Sequence, residues 1–148
     1  MTDIYHIFKE KFSNMIYIRE NNKFGNLFLV VKNFNISILK DNYDLIVEFI
    51  YYSCLEALKI SNHYNNKTFT VHIYLEQASM KNFSFKLFKK INKKLTENLK
   101  DVLDICYIYG SGPFLLNIFK LIRSLLDPVT KKKIVIVKQT CKKSNILL

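Results

Sequence analysis

An α/β fold, with a mixed, largely parallel sheet flanked by helices, is predicted from three observations. The apolar pattern switches repeatedly between a period of two and a period near 3.6. Strand-like and helix-like segments alternate along the chain, an order that requires crossover connections between strands. Only three Gly and two Pro occur in 148 residues, so neither a flexible linker nor a solenoid repeat is visible, and residues 1–148 are expected to form one domain.

The opening residues Ile4, Ile7, Phe8 and Phe12 carry a short amphipathic helical pattern. Met15 to Arg19 and Leu27 to Lys32 are β-rich, and Asn21 to Gly25 between them is a hairpin connection. Asp41 is placed to cap a helix over Tyr43 to Lys59, whose apolar residues recur at helical spacing until the polar stretch Ser61 to Lys67 stops it. Thr68 to Glu76 alternates as a strand does, with Phe69, Val71, Ile73 and Leu75 on one face. A helix over Phe83 to Leu99 shows an apolar stripe of Phe88, Ile91, Leu95 and Leu99 opposite a basic face of Lys86, Lys89, Lys90, Lys93 and Lys94. Asp104 to Tyr109 is the next strand. Gly110-Ser111-Gly112-Pro113 ends it and opens a helix that is apolar over a wide arc, from Phe114 to Leu126. Asp127-Pro128 ends that helix, and Lys133 to Val137 is a final buried-type strand.

The net charge of +11 is one-sided: residues 1–76 carry eight basic and eight acidic side chains, residues 77–148 fifteen and four. Such a field attracts phosphates, whether of a membrane or of a nucleic acid. Lys outnumbers a single Arg in the basic half and no exposed aromatics interleave with it, which argues against nucleic acid. Cys54, Cys106 and Cys141 lack the spacing of a zinc site or a disulfide framework. No phosphate-binding loop or dinucleotide fingerprint is present. Gly110-Ser111-Gly112 falls short of a nucleophile elbow, and His6, His63 and His72 all precede it, so no catalytic residues, cofactor or metal are expected. His72, alternating with apolar residues on a strand, is expected to be a paired structural histidine. The opening residues lack a secretory signal and no apolar run approaches a spanning length, so a cytoplasmic location, peripheral to membranes, is expected.

Taken in order, Tyr107-Ile108-Tyr109, Gly-Ser-Gly-Pro, the apolar helix, Leu126-Asp127-Pro128-Val129-Thr130 and Lys133-Ile134-Val135-Ile136-Val137 resemble the end of a CRAL-TRIO lipid-binding domain. Asn22-Lys23-Phe24-Gly25 resembles that family's hairpin, and the likeness spans about residues 15–137. Tyr74 and Gln77 depart from the family's usual Asp and Gly, and Gly110-Ser111-Gly112-Pro113 replaces its Asn-x-Pro, marking a minimal or divergent member.

The resemblance implies a lipid-binding or lipid-transfer protein of the phosphatidylinositol-transfer type, with an apolar gate helix over a lipid pocket. The pocket is expected between Val71, Ile73, Ile105 and Tyr107 of the sheet and Phe114, Ile118, Phe119 and Ile122 of the gate helix. By the same resemblance Asp101 and Lys133 would contact a phosphoinositide headgroup. Lys86, Lys89, Lys90, Lys93 and Lys94, with Lys131 to Lys133, are expected to dock on anionic membranes. The alternative is a protein-interaction or dimerisation module of the divergent CRAL-TRIO type, with a homodimer or another protein as partner.

Overall fold

A computed structural model describes residues 2–139, apart from the side chains of residues 2–4 and 7. Cys141 and the side chains of Ile4 and Ile7 lie outside the described residues. The chain runs α1 (Thr2–Lys11), β1 (Ile16–Asn21), β2 (Phe24–Val30), α2 (Ile36–Leu39), α3 (Tyr43–His63), β3 (Phe69–Tyr74), α4 (Phe85–Asn98), β4 (Leu103–Gly110), α5 (Gly112–Leu125), α6 (Pro128–Lys131) and β5 (Ile134–Lys138). The five strands lie side by side in sequence order; β1 and β2 are antiparallel and every later pair is parallel. The mixed, largely parallel sheet predicted from the alternation of periods is therefore present.

Local chemistry explains most boundaries. The β1–β2 turn places Asn22 and Lys23 at φ 57° and 68°, two left-handed residues in the mirror-image turn that matches strand twist. Gly25 is not part of that turn. It sits in β2 opposite Glu20, where a Cβ would come within 1.8 Å of the Ala57 carbonyl oxygen, so only glycine lets β2 lie this close to α3. The Gly25 N–H donates to Ser61 Oγ at 2.8 Å in the buried interior. This bond explains one departure from expectation: Ser61 is part of α3, which continues to His63 rather than stopping near Lys59. Asp41 is likewise no cap. It lies inside a 3-10 turn, Lys40–Asn42, that leads directly into α3, and Asn42 occupies the capping position without a side-chain bond.

The core is on one side of the sheet. Leu27, Ile16 and Phe69 pack with Ile46, Phe49, Ile50 and Cys54 of α3, while Cys106 and Ile108 pack with Leu115, Ile118 and Ile122 of α5. On the other side Tyr17, Phe28, His72, Tyr107 and Val135 stand in register across all five strands, and none of them joins either core cluster. The rings stack on one another: Tyr17 on Phe28 at 4.8 Å, Phe28 on His72 at 4.5 Å, and Tyr74 on Tyr109 at 4.5 Å between centroids.

His72 organises the polar atoms of this face. Asn26 Nδ2 donates to the Phe24 carbonyl at 3.0 Å, which turns Asn26 Oδ1 toward His72 as an acceptor at 2.8 Å. Nε2 of His72 therefore carries the proton, and Nδ1 accepts from the Tyr109 hydroxyl at 2.7 Å. His72 is thus a paired structural histidine, as its place on an alternating strand predicts. Burial pushes its pKa down from 6.5 to about 4.

Two expectations follow. Gly25→Ala should lower stability by about 3 kcal/mol, since the clash is with backbone that cannot rotate away; an unchanged midpoint in urea denaturation would refute this close packing. Because the folded pKa of His72 lies below its unfolded value, the neutral ring's contribution is complete above pH 6.5 and is lost as pH falls toward 4. His72→Gln should remove that component, so that the stability difference between the two proteins shrinks as pH falls; a difference constant from pH 7 to 4 would contradict it.

Candidate functional site

Beneath α4 lies a partly open cavity of about 430 Å³. Its floor is the core face of the sheet, with Leu27 and Leu29 of β2, Val71 and Ile73 of β3, Cys106 of β4 and Ile134 of β5. Ile50 and Cys54 of α3 form one side, and Ile118 and Ile122 of α5 the other. The roof is α4, through Leu87, Phe88, Ile91 and Leu95.

Several bonds hold α4 in this position. Ser84 Oγ accepts from Leu87 N–H at 3.1 Å and caps the helix. In the preceding turn Asn82 Nδ2 donates to the carbonyls of Lys32 at 3.1 Å and Phe34 at 3.0 Å, tying the start of α4 to the end of β2. Lys90 Nζ lies 3.3 Å from Asp44 and Lys94 Nζ 2.7 Å from Glu48, so one turn of α4 pairs with one turn of α3 and the two helices run parallel. Asn92 Nδ2 reaches the Leu125 carbonyl of α5 at 3.4 Å. The main neighbours of α4 are accordingly α3 and α5 rather than any strand, and a space remains between it and the sheet.

The cavity is polar mainly at the end where α4 finishes. Thr96, Lys100, Asp101, Thr130 and Lys133 line it there, beside Asp127. Asp127 Oδ1 accepts from Thr130 N–H at 3.2 Å and caps α6; bonding to Thr130 holds its carboxyl below the usual range. Cys54 and Cys106, both buried, have thiol pKa values pushed up to about 12 by burial, which makes them apolar wall rather than nucleophiles.

This order of strands and helices has known counterparts. The CRAL/TRIO domain model matches residues 11–146. The chain belongs to the CRAL/TRIO family. Among solved structures, the crystal structure of Sfh5 is similar with a TM-score of 0.69 at 15% identity, over 86% of this chain and 48% of that one. This CRAL/TRIO chain thus spans about half the length of that protein. No curated protein matches it.

Of the pocket residues that the family resemblance suggested, Val71, Ile73, Ile118 and Ile122 line the cavity, and so do Asp101 and Lys133. Ile105 and Tyr107 do not. Side chains alternate along β4, and Cys106 and Ile108 point into the core, so Ile105 and Tyr107 belong to the opposite face; a register shift between Phe69 and Val71 sets Val71 beside Cys106. Phe114 and Phe119 are also absent from the lining. In α5 the inward row is Leu115, Ile118 and Ile122, and Phe114 and Phe119 lie off that row, half-buried against its flanks.

The docking lysines of α4 divide into two groups. Lys90 and Lys94 are engaged by Asp44 and Glu48, because their side of α4 faces α3. Lys86, Lys89 and Lys93 lie along an exposed stripe and form no ion pair among the described residues.

Residues not anticipated include Leu27, Leu29, Cys106 and Ile134 of the sheet, Ile50 and Cys54 of α3, and Leu87, Phe88, Ile91 and Leu95 of α4. A signal for those of α4 did exist. Asn92 and Thr96 interrupt the apolar side of α4 at four-residue spacing from Phe88, which is unusual on a helix face sealed against a sheet.

Proposed function

We propose that the protein binds a lipid in the cavity under α4, with the apolar body against the sheet and the polar head at the mouth formed by Asp101 and Lys133. The observation that carries this reading is the cavity itself: about 430 Å³, walled by aliphatic and aromatic side chains and polar mainly at one end. A well-packed domain of this size leaves few voids larger than a water molecule, and a void of this volume falls in the range of small-molecule sites. At the mouth, Lys133 suits a phosphate and Asp101 can accept hydrogen bonds from hydroxyls, so a phosphoinositide-type headgroup fits their chemistry.

The same reading has the protein working in the cytoplasm, peripheral to membranes, and acquiring lipid at an anionic surface through Lys86, Lys89 and Lys93. A second reading, a protein-interaction or dimerisation module, is favoured by the aromatic sheet face that no helix covers among the described residues.

Mass spectrometry of lipid extracted from purified protein should find close to one lipid per chain; protein free of lipid that also takes none up from vesicles would favour the second reading. A lysine near an anionic leaflet contributes up to about 1 kcal/mol, screened over ~8 Å at physiological salt. Replacing Lys86, Lys89 and Lys93 together by Glu should weaken sedimentation with phosphatidylserine vesicles by about a hundredfold while leaving thermal stability unchanged. Equal binding by wild type and variant, or no dependence on salt, would remove this surface from the account.

A further inference from the structure

The shape of the cavity bears on which lipids fit. Its lining follows α4 from Ser84 to Leu99, which at 1.5 Å per residue is a length of about 22 Å. Its floor spans four strands, so capacity rather than width is the measure. A cavity of roughly 150 Å³ admits one benzene, so about 25 Å³ serves each carbon, and this cavity holds on the order of seventeen carbons.

The two ends differ in kind. Where α4 begins, Asn82 spends its amide on the carbonyls of Lys32 and Phe34, and Ser84 spends its hydroxyl on Leu87, leaving a surface dominated by Phe34 and Phe83. Where α4 finishes, Thr96, Lys100, Asp101 and Lys133 line the cavity, and none is engaged in a side-chain hydrogen bond or ion pair among the described residues.

We infer that the ligand is a single-chain amphiphile of about sixteen to eighteen carbons, with a phosphate or carboxylate head at the Lys100–Lys133 end, and not a two-chain phospholipid. This inference rests on the lipid-binding reading above and narrows it. The tail points toward Phe83, and the chain length is measured by the distance between the two ends.

The test is displacement of a fluorescent eighteen-carbon fatty acid by saturated fatty acids of ten to twenty-two carbons, by lysophosphatidic acids of the same lengths, and by dioleoylphosphatidylinositol. Each two carbons added below the optimum should tighten binding about tenfold, and affinity should fall beyond about eighteen carbons. Val71→Phe, which fills the floor, should move the optimum down by about two carbons, and Ile91→Ala, which opens the roof, should move it up by two to four. Lys133→Ala should weaken the acids several-fold and leave hexadecanol unaffected. The comparison of fatty and lysophosphatidic acids tells a carboxylate head from a phosphate head. Phosphatidylinositol binding as tightly as the best single chain would overturn the inference while leaving lipid binding intact, as would affinity that rises to twenty-two carbons without an optimum. If no lipid of either kind displaces the probe and the probe itself does not bind, the lipid-binding reading fails and the inference with it. Should a variant not fold, the wild-type chain-length series decides alone.

Discussion

Strand order governs this molecule. The sheet advances β1, β2, β3, β4, β5 without reversing, and parallel crossovers are almost always right-handed, so every connecting helix falls on the same face. Five strands spaced about 4.8 Å apart span roughly 19 Å between the outer axes, while helices with side chains are about 10 Å across. Two helices cover such a sheet and a third does not fit beside them. Helix α3 seats on β1, β2 and β3, α5 packs over Cys106 and Ile108, and α4 bridges the pair as a roof. The cavity is the space beneath that roof, and its apolar walls are the surfaces that α3, α5 and the sheet turn inward.

The same constraint leaves the second face of the sheet without a helix among the described residues. That face is kept orderly by its own side chains. Stacked rings of Tyr17, Phe28, His72, Tyr74, Tyr107 and Tyr109 shield one another, and the chain from the Tyr109 hydroxyl through His72 and Asn26 to the Phe24 carbonyl satisfies the polar atoms internally. Among the described residues no buried side-chain polar atom is left without a partner. The cavity and the aromatic surface thus lie on opposite sides of one sheet.

How much of this was legible in the sequence depends on the kind of physics involved. Periodicity located the main strands and helices because it reports burial directly, and the ordered Leu126-Asp127-Pro128 and Lys133-Ile134 segments pointed to the family that the CRAL/TRIO match over residues 11–146 establishes. Boundaries set by tertiary contacts were not legible. Ser61 looked like a helix terminator, and only its bond to Gly25, thirty-six residues away, explains why the helix runs on. Within the site, Val71 and Ile73 could be placed from alternation, but Tyr107 could not: β4 is apolar on both faces, so alternation alone does not say which of Cys106 and Tyr107 points inward. Similarly, α5 is the most apolar helix and reads as the cover of the pocket, whereas the cavity is lined by α4 through Leu87, Phe88, Ile91 and Leu95 as well as by α5 through Ile118 and Ile122. That is a property of three helices together, and no single segment records it.

The central claim is that a lipid chain lies between α4 and the core face of the sheet. Nuclear Overhauser contacts between the methylenes of a bound eighteen-carbon fatty acid and labelled methyl groups test it most directly. Contacts should appear at Val71, Ile73, Ile91, Leu95 and Ile122, and none at Val135 or Val137 on the aromatic face or at the exposed Leu116 of α5. Contacts confined to Val135 and Val137, or bound lipid that touches neither set, would contradict the claim.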